Sequence, residues 1–208
     1  MDISGYSYTD AEASHTHAYL WSPTVQVLTA SKVKRVFDLG CGSGAFASTL
    51  FKQGFEVTGV DPSTSGIENA RRAFPQLRFE TGSTDEDLAA RFGQFEAVVS
   101  LEVVEHVYAP RQFAKRVFDL LQPGGTAVIS TPYNGYLKNL AIALLGEYDR
   151  HYTALWDNGH IKFWSIKTLS QLLAEAGFEN IQFKRVGRIP PLAKSMIAIA
   201  RKPLNPRK

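Results

Sequence analysis

Short apolar runs alternate with amphipathic segments along most of the chain. The apolar runs predict strands at residues 33–40, 55–60, 77–81, 95–100, 126–131, 178–186 and 193–201. Helical spacing of apolar residues predicts helices at 18–28, 45–53, 65–74, 86–92, 110–121 and 166–176. This alternation is typical of a parallel sheet with helices on both faces, and the ligands of such sheets bind beyond the carboxyl ends of the strands.

Two segments depart from the alternation. The last two predicted strands are joined by the short loop GRIPPL at 187–192, so we expect them to form an antiparallel hairpin. Residues 132–164 are a long connection, and long connections in compact domains are usually functional or disordered. We predict a single domain over residues 1–208, with an N-terminal arm and helix at 1–31 and an insertion, or lid, at 132–164.

Composition and charge narrow the choice of function only slightly. A net charge of +3 is too small to indicate a nucleic-acid partner. The single cysteine excludes an internal disulfide and favours a cytoplasmic location. No apolar run in the sequence approaches the roughly 20 residues that a membrane-spanning helix needs. The basic tail RKPLNPRK at 201–208 follows the last predicted strand, and we expect it to be solvated.

A glycine-rich turn follows the first predicted strand. In VFDLGCGSGAF (36–46), Gly40, Gly42 and Gly44 have the spacing G-x-G-x-G, whereas the dinucleotide-binding motif is G-x-G-x-x-G. Asp38 precedes them, and a carboxylate there repels a pyrophosphate but attracts an ammonium group. Asp61 ends the second strand, where an acid can accept hydrogen bonds from ribose hydroxyls. A turn or helix cap is the alternative role of Asp61.

The motifs DLGCGSG, VTGVDPS and LLQPGGTAVIST together resemble class I S-adenosylmethionine-dependent methyltransferases, over about residues 33–201. The resemblance implies an α/β fold, a Rossmann-like seven-stranded doubly wound sheet of order 3-2-1-4-5-7-6 with strand 7 antiparallel. It also implies S-adenosylmethionine as the cofactor. The residues that it assigns to the cofactor are Asp38, Gly40, Cys41, Gly42, Gly44, Asp61, Pro62, Ser83, Thr84 and Leu101. Among them, Cys41 is interpreted as a small spacer.

LEVVEHV (101–107) places three titratable residues just after the fourth predicted strand. One helical turn would put Glu102, Glu105 and His106 on one face, because they lie at i, i+3 and i+4, and would leave the three valines for the core. Two carboxylates and an imidazole suit Mg²⁺, Mn²⁺ or a similar cation. The alternative is that both glutamates complement a helix N-terminus while His106 is a general base.

The pattern E-x-x-E-H is similar to that of the ubiquinone-pathway O-methyltransferases and the small-RNA 2′-O-methyltransferases. This resemblance implies a divalent metal at Glu102, Glu105 and His106, with a further ligand at His160 of NGHIKFWS (158–165). The same four residues are then the candidate catalytic group. A metal there would bind two vicinal hydroxyls of the acceptor and lower the pKa of the attacked oxygen.

We therefore expect an S-adenosylmethionine-dependent methyltransferase that O-methylates a hydroxylated small-molecule or lipid-like acceptor of catechol or quinol type. The alternatives are a nicotinamide oxidoreductase, a non-catalytic S-adenosylmethionine-binding module, and a sugar or nucleic-acid 2′-O-methyltransferase. The glycine spacing and Asp38 count against the oxidoreductase. The near-neutral charge counts against a nucleic-acid substrate.

The insertion carries an apolar helical face at 136–145. Two interpretations stand: this face packs over the active site, or it makes a peripheral membrane contact that collects a lipid-like acceptor. The sequence does not indicate an oligomeric state. Candidate residues around the acceptor are Tyr133, Tyr148, His151, Tyr152 and Trp156.

Overall fold

The computed structural model of the protein describes residues 18–205. The strands are β1 Arg35–Leu39, β2 Glu56–Asp61, β3 Arg78–Thr81, β4 Phe95–Leu101, β5 Leu121–Pro132, β6 Glu179–Val186 and β7 Ser195–Arg201. The helices are α1 Ala18–Ala30, α2 Ala45–Lys52, α3 Thr64–Ala73, α4 Leu88–Phe92, α5 Pro110–Leu120, α6 Tyr136–Leu144, α7 Tyr148–Tyr152 and α8 Ile166–Glu175. A 3₁₀ turn spans Pro190–Leu192. The N-terminal arm at 1–17 and the last three residues lie outside the described part of the chain.

The strands form one seven-stranded sheet in the order β3-β2-β1-β4-β5-β7-β6. Strands β1 to β5 pair in parallel, whereas β7 runs antiparallel to both β5 and β6. The predicted order, the antiparallel seventh strand and the terminal hairpin are therefore confirmed. Strand order reverses between β1 and β4, so the carboxyl ends of these two strands flank the crevice where such folds bind ligands.

The core has two layers, one on each face of the sheet. Helices α4, α5 and α8 cover one face with residues such as Phe113 and Leu169, and α1, α2 and α3 cover the other with residues such as Leu28 and Leu50. Successive residues of β4 enter opposite layers, Val98 the first and Val99 the second. Burial on both faces explains why FEAVVS is a continuous apolar run rather than an alternating one.

The insertion at 132–164 contains two helices of its own. Helix α6 ends near Leu145 and α7 follows after a short turn, and the Tyr152 hydroxyl donates to Asn139 Oδ1 at 3.3 Å, which joins the two helices. The predicted apolar face of α6 is largely exposed, and the side chains of Leu144 and Leu145 are 78% and 75% exposed. Helix α6 instead lies beside the 3₁₀ turn of the β6–β7 connection. Across residues 18–205, none of the helices has the length and apolar character that crossing a bilayer requires.

The expected solvation of the basic tail is wrong at Lys202. This residue is only 6% exposed, and its ammonium group donates to the carbonyl oxygens of Phe118 at 2.8 Å and Leu121 at 2.7 Å. Both oxygens lie at the carboxyl end of α5, where carbonyl groups lack the full set of intrahelical donors, although that of Phe118 also accepts from the N–H of Leu121. The ammonium also lies 4.5 Å from the centroid of the Phe118 ring. Lys202 therefore joins the chain after β7 to the junction of α5 and β5.

We predict that Lys202→Met lowers the free energy of unfolding by about 1–3 kcal/mol, because two buried carbonyl groups lose a charged donor. Urea unfolding followed by circular dichroism measures the change. Lys167→Met is the matched control, since Lys167 is exposed on α8 and surface substitutions usually change stability by less than about 0.5 kcal/mol. Equal stability of the two variants would contradict the prediction.

Candidate active site

The glycine-rich turn lies between β1 and α2 at the carboxyl edge of the sheet. Gly40 and Gly44 have positive φ values of 83° and 81°. A Cβ at Gly40 would lie 2.4 Å from Val103 Cγ2, so only glycine fits between the turn and the segment after β4. The backbone N–H groups of Gly40 and Cys41 both donate to the carbonyl oxygen of Val60, at 2.7 and 3.1 Å. The turn is thus fixed against the end of β2.

Asp61 orients the same turn from the end of β2. Its Oδ2 accepts a hydrogen bond from the N–H of Gly42 at 2.8 Å, and its Oδ1 accepts one from the N–H of Ser63 at 2.8 Å. The turn role considered for Asp61 is therefore present.

Asp38 lies at the end of β1 with its side chain buried. Its Oδ2 has no hydrogen-bond partner among the described residues. Burial raises the pKa of Asp38 to about 7, and the neighbouring Asp61 carboxylate contributes in the same direction. A buried carboxylate with an unpartnered oxygen is stabilised by a cationic ligand group, and the ammonium of an amino acid is one that fits.

The remaining predicted cofactor residues lie around this edge. Gly82 donates to the carbonyl oxygen of Asp61 at 3.1 Å, which places the loop with Ser83 and Thr84 beside the end of β2. Leu101 ends β4 and packs against the layer formed by α1 to α3. The Cys41 side chain is buried, and burial raises the pKa of its thiol, so the group stays protonated. A protonated, buried thiol agrees with the interpretation of Cys41 as a spacer.

The prediction of one helical turn through LEVVEHV is wrong, because the backbone of Glu102 is not helical. Glu102 has φ +55°, a left-handed conformation that interrupts any helix. Its N–H donates to Ser130, to the carbonyl oxygen at 3.2 Å and to Oγ at 3.0 Å. Helix α5 begins only at Pro110, so neither glutamate lies at a helix N-terminus as the alternative role required. The core role of the valines is confirmed, since Val104 is fully buried.

Three hydroxyl groups hold the Glu102 carboxylate, directly or through one another. Ser130 Oγ donates to Oε1 at 2.7 Å, and Ser195 Oγ donates to Oε2 at 3.3 Å. The Tyr19 hydroxyl in turn lies 2.9 Å from Ser195 Oγ. Burial raises the pKa of Glu102 to about 7, although both serine hydroxyls and the charge of Lys138 oppose the shift. None of these supporting residues was predicted from the sequence. The sequence feature that could have indicated two of them is the presence of a serine within the apolar runs of β5 and β7.

Glu105 is fully buried, and within residues 18–205 neither of its carboxylate oxygens makes a hydrogen bond of good geometry. Burial raises the pKa of Glu105 well above its ordinary value and the neighbouring Glu102 raises it further, whereas a backbone N–H group and the nearby Thr131 hydroxyl group oppose the shift. The carbonyl oxygen of Glu105 accepts hydrogen bonds from the N–H groups of Ile161 and Lys162, each at 3.0 Å. These bonds fix the end of the insertion against the segment after β4.

The two predicted histidines meet beside Glu105. The ring centroids of His106 and His160 are 4.9 Å apart, and His160 Nε2 lies 4.0 Å from Glu105 Oε1. Burial lowers the pKa of His106. Burial, then His106 and His151, lower the pKa of His160 to about 4. Both rings are therefore neutral at neutral pH, the state in which imidazole binds a metal or accepts a proton.

One ligand atom from each of Glu105, His106 and His160 lies within 4.8 Å of the other two. A divalent cation would supply the positive charge that the Glu105 carboxylate lacks and would meet nitrogen atoms able to bind it. The structure therefore brings together three of the four residues predicted as ligands. Glu102 is not in this group, because its carboxylate is held by Ser130 and Ser195.

The predicted acceptor-side aromatics of the insertion form two groups of ring contacts. Trp156 lies 5.4 Å from the ring of His160 and 6.2 Å from that of His106, measured between ring centroids. Tyr152 contacts Tyr148 at 4.5 Å, His151 at 4.9 Å and Phe163 at 5.0 Å, again between ring centroids. Tyr133 directly follows β5. Trp156 is therefore the predicted aromatic residue that borders both His106 and His160.

Comparison with known proteins agrees with this geometry. Residues 13–183 match the model of a family described as a methyltransferase domain. The chain is 34% identical over 154 residues to a ubiquinone biosynthesis O-methyltransferase of Ruegeria pomeroyi, an alignment that covers 72% of this chain and 62% of the relative. A relative of the same name from Caulobacter sp. strain K31 is 37% identical over 116 residues, 54% of this chain and 46% of that protein. The chain thus spans less than two thirds of the length of these relatives.

Solved structures share the fold. The methyltransferase domain of bacterial CtHen1-C superposes with a TM-score of 0.69 at 25% identity, covering 89% of this chain and 97% of that chain. Magnesium protoporphyrin IX methyltransferase from Synechocystis PCC 6803, solved with bound SAH, has a TM-score of 0.69 at 19% identity, covering 94% and 90%. At 19% identity, the similarity to the Synechocystis enzyme is evidence for a shared fold and for nothing more. The family resemblance identified from the sequence motifs is confirmed.

We predict that Asp38→Asn stabilises the ligand-free protein at about pH 8. The folded-state pKa of Asp38 is about 7, whereas an aspartate in the unfolded chain titrates near ~3.9. Folding therefore disfavours the ionised form, and the free energy of unfolding falls as the pH rises between these two values. The substitution removes this penalty and is expected to add about 1–4 kcal/mol at high pH, but little at about pH 4. Urea unfolding at the two pH values measures it.

Asp61→Asn is the matched control for this prediction. It also removes one negative charge, but an amide group cannot accept hydrogen bonds from both Gly42 and Ser63. We expect it to lower the free energy of unfolding by about 1–3 kcal/mol. The prediction fails if both substitutions destabilise the protein at about pH 8.

Proposed function

Because the chain belongs to the family of methyltransferase domains, we propose that it transfers the methyl group of S-adenosylmethionine to a hydroxyl group of a small catechol- or quinol-type acceptor. The observation that carries this proposal is the juxtaposition of two incomplete sites at one sheet edge. Asp38 has an unpartnered oxygen beside the glycine turn, and Glu105 has two beside the histidines. The names of the relatives, ubiquinone biosynthesis O-methyltransferases, support a hydroxylated acceptor.

The residues of the glycine turn would hold the cofactor. The Asp38 carboxylate suits the ammonium group of the methionine part, because the ligand would then provide the partner that Oδ2 lacks. Asp61 has its carboxylate oriented by Gly42 and Ser63, which suits it to accept from the ribose hydroxyls. The loop with Ser83 and Thr84 would flank the adenine, and Leu101 the methyl-donor side. When bound, S-adenosylmethionine supplies an already activated methyl group.

The residues after β4 and the end of the insertion would prepare the acceptor. A neutral His106 or His160 can take the proton of the attacking hydroxyl group. His106 Nδ1 lies 3.1 Å from the carbonyl oxygen of Asn158, which holds the ring in one orientation. The aromatic side chains above the histidines would exclude water from the reacting atoms. Since the methyl group needs no further activation, positioning and deprotonation of the hydroxyl group would determine the rate.

A divalent cation at Glu105, His106 and His160 is part of the proposal. Such a cation, when bound, would lower the pKa of the acceptor hydroxyl groups that reach it. The donor set of two imidazoles and one carboxylate suits Mn²⁺ or another transition metal better than Mg²⁺, which prefers oxygen ligands. Glu102, with its carboxylate held between two serines, would act on the acceptor side rather than as a fourth ligand.

We predict that methyl transfer from labelled S-adenosylmethionine to catechol depends on this cluster. Chelation is expected to lower the rate at least tenfold, about the effect of losing one general acid–base or metal group, and Mn²⁺ is expected to restore it more fully than Mg²⁺. Glu105→Gln is expected to reduce both the rate and the affinity for Mn²⁺. Glu56→Gln, an exposed glutamate at the start of β2, is the control and is expected to change neither.

The outcomes separate the alternatives. Transfer that is indifferent to chelation would overturn the metal site and leave His106 or His160 as the base. Cofactor binding without transfer to catechol, a quinol or an RNA oligomer ending in a vicinal diol would favour the non-catalytic binding module. Transfer to the RNA oligomer alone would identify the nucleic-acid alternative. No binding of the cofactor would overturn the proposal as a whole.

A peripheral membrane contact through residues 136–145 is also proposed. Its support is the exposed apolar surface of α6, where Tyr136, Leu137 and Leu144 are mostly exposed. An amphipathic helix of this kind can lie in the interfacial region of a bilayer.

We predict that Leu137→Ser with Leu144→Ser reduces sedimentation of the protein with phosphatidylglycerol-containing vesicles by at least about threefold, because burial of two leucine side chains is lost. Leu204→Ser is the control, since Leu204 is equally exposed but contacts Gly124 near the start of β5, away from α6. Equal sedimentation of all variants would show that α6 does not contact the membrane.

A further inference from the structure

Lys138 is the basic residue of α6 that turns towards the active site. Its neighbours Tyr136 and Leu137 are exposed, whereas Lys138 is partly buried. Its ammonium group donates to the carbonyl oxygen of Tyr133 at 2.9 Å. Tyr133 follows β5 directly, and β5 also provides Ser130, which holds the Glu102 carboxylate. Lys138 therefore lies on the acceptor side of Glu102.

Arg188 reaches the same space from the β6–β7 connection. The N–H of Tyr133 donates to the carbonyl oxygen of Lys194 at 3.0 Å, and the N–H of Lys194 donates to that of Val186 at 2.9 Å. These bonds hold the β6–β7 connection against Tyr133, the residue whose carbonyl oxygen Lys138 contacts. Arg188 lies two residues before the 3₁₀ turn, which packs beside α6. The two basic residues thus approach each other from neighbouring elements.

Neither charge of this pair has a carboxylate in direct ion-pair contact among the described residues, although Glu102 acts on Lys138 from a greater distance. Within residues 18–205, no carboxylate forms an ion pair with Lys138 or Arg188 at 4.0 Å or less. Burial lowers the pKa of Lys138, the Arg188 guanidinium lowers it further, and Glu102 opposes the shift. Both cations also lower the pKa of His151 on α7, after burial. The charges of Lys138 and Arg188 therefore act on each other and on His151, and the charge of Lys138 also acts on Glu102.

We propose that Lys138 and Arg188 form a binding site for an anionic group, a carboxylate or a phosphate, carried by the methyl acceptor. An acceptor with hydroxyl groups at His106 and His160 would extend between the aromatic side chains towards this pair. Lys138 on α6 and the exposed Arg188 on the neighbouring β6–β7 connection can both donate charge-assisted hydrogen bonds to one oxyanion. The site would select acidic acceptors over neutral ones. This proposal rests on the proposed methyltransferase function.

The position of Lys138 favours the acceptor over a membrane lipid as the source of the anion. Basic residues that bind an anionic bilayer extend into solvent beside the apolar face that enters it. Lys138 instead points inward, with its ammonium on the Tyr133 carbonyl oxygen and its charge acting on Glu102. An inward ammonium meets a ligand that enters the site more readily than a surface outside it.

The test compares two ligands that differ by one carboxylate, 3,4-dihydroxybenzoate and catechol. Their dissociation constants are measured by calorimetry with S-adenosylhomocysteine present, so that no methyl group can be transferred. We expect the wild-type protein to bind 3,4-dihydroxybenzoate about tenfold more tightly, the effect of one charged hydrogen bond. Arg188→Gln and Lys138→Met are each expected to reduce this ratio to about threefold or less, and Lys138→Arg to restore most of it.

Lys184→Gln is the matched control, because it removes one positive charge from the exposed strand β6 and is expected to keep the wild-type ratio. Comparison of two ligands on each variant cancels any general loss of binding. Equal dissociation constants in the wild type, failure of 3,4-dihydroxybenzoate to bind, or a ratio unchanged in both variants would overturn the proposal. So would a loss confined to the binding of phosphatidylglycerol vesicles, which would assign the two cations to a membrane.

A different measurement, methyl transfer itself, tests the proposed function. Absence of methyl transfer from S-adenosylmethionine to either ligand in the wild type would refute the function. The ratio of dissociation constants does not depend on transfer and would still decide whether the anionic site exists.

Discussion

Buried carboxyl groups at the carboxyl edge of the sheet constrain this structure. Asp38 lies at the end of β1, Glu102 and Glu105 follow β4, and burial raises the pKa of each. Glu102 has both of its carboxylate oxygens held by serine hydroxyl groups. The other two retain oxygen atoms without a partner among the described residues. Folding to this arrangement is unfavourable unless cationic groups arrive from outside, which is the property expected of a binding site.

The end of the insertion is joined to this edge by backbone hydrogen bonds to the main chain of Glu105. The carbonyl oxygen of Glu105 accepts hydrogen bonds from the N–H groups of residues 161 and 162. The main chain of Glu105 is therefore held in place, whereas its side chain is not. The indole N–H of Trp164 donates to the carbonyl oxygen of Val104 at 3.2 Å and strengthens this connection. The residues that follow His160 therefore hold it beside the segment after β4. The outer part of the insertion, around α6 and α7, leaves more of its apolar surface exposed.

The sequence alone predicted those features that depend on residues close together in the chain. FEAVVS is largely apolar because both faces of β4 are buried, and Asp38 and Asp61 were identified because each lies at the end of a strand. Periodicity does not give the strand order, which came from the family resemblance. Features that depend on distant partners were not predictable. Glu102 takes its left-handed backbone from Ser130, 28 residues later, and Lys202 is buried because it reaches the carbonyl oxygen of Leu121, 81 residues earlier.

The backbone at Glu102 has a consequence for how this chain responds to selection. A left-handed conformation favours glycine or asparagine, and a buried carboxylate adds to the cost of keeping glutamate there. A library screened only for thermal tolerance would therefore drift away from glutamate at this position early. A library screened for catalytic turnover would retain glutamate at this position if the Glu102 carboxylate contributes to binding or methylation of the acceptor. The fate of residue 102 under the two regimes thus separates what the fold requires from what its chemistry requires.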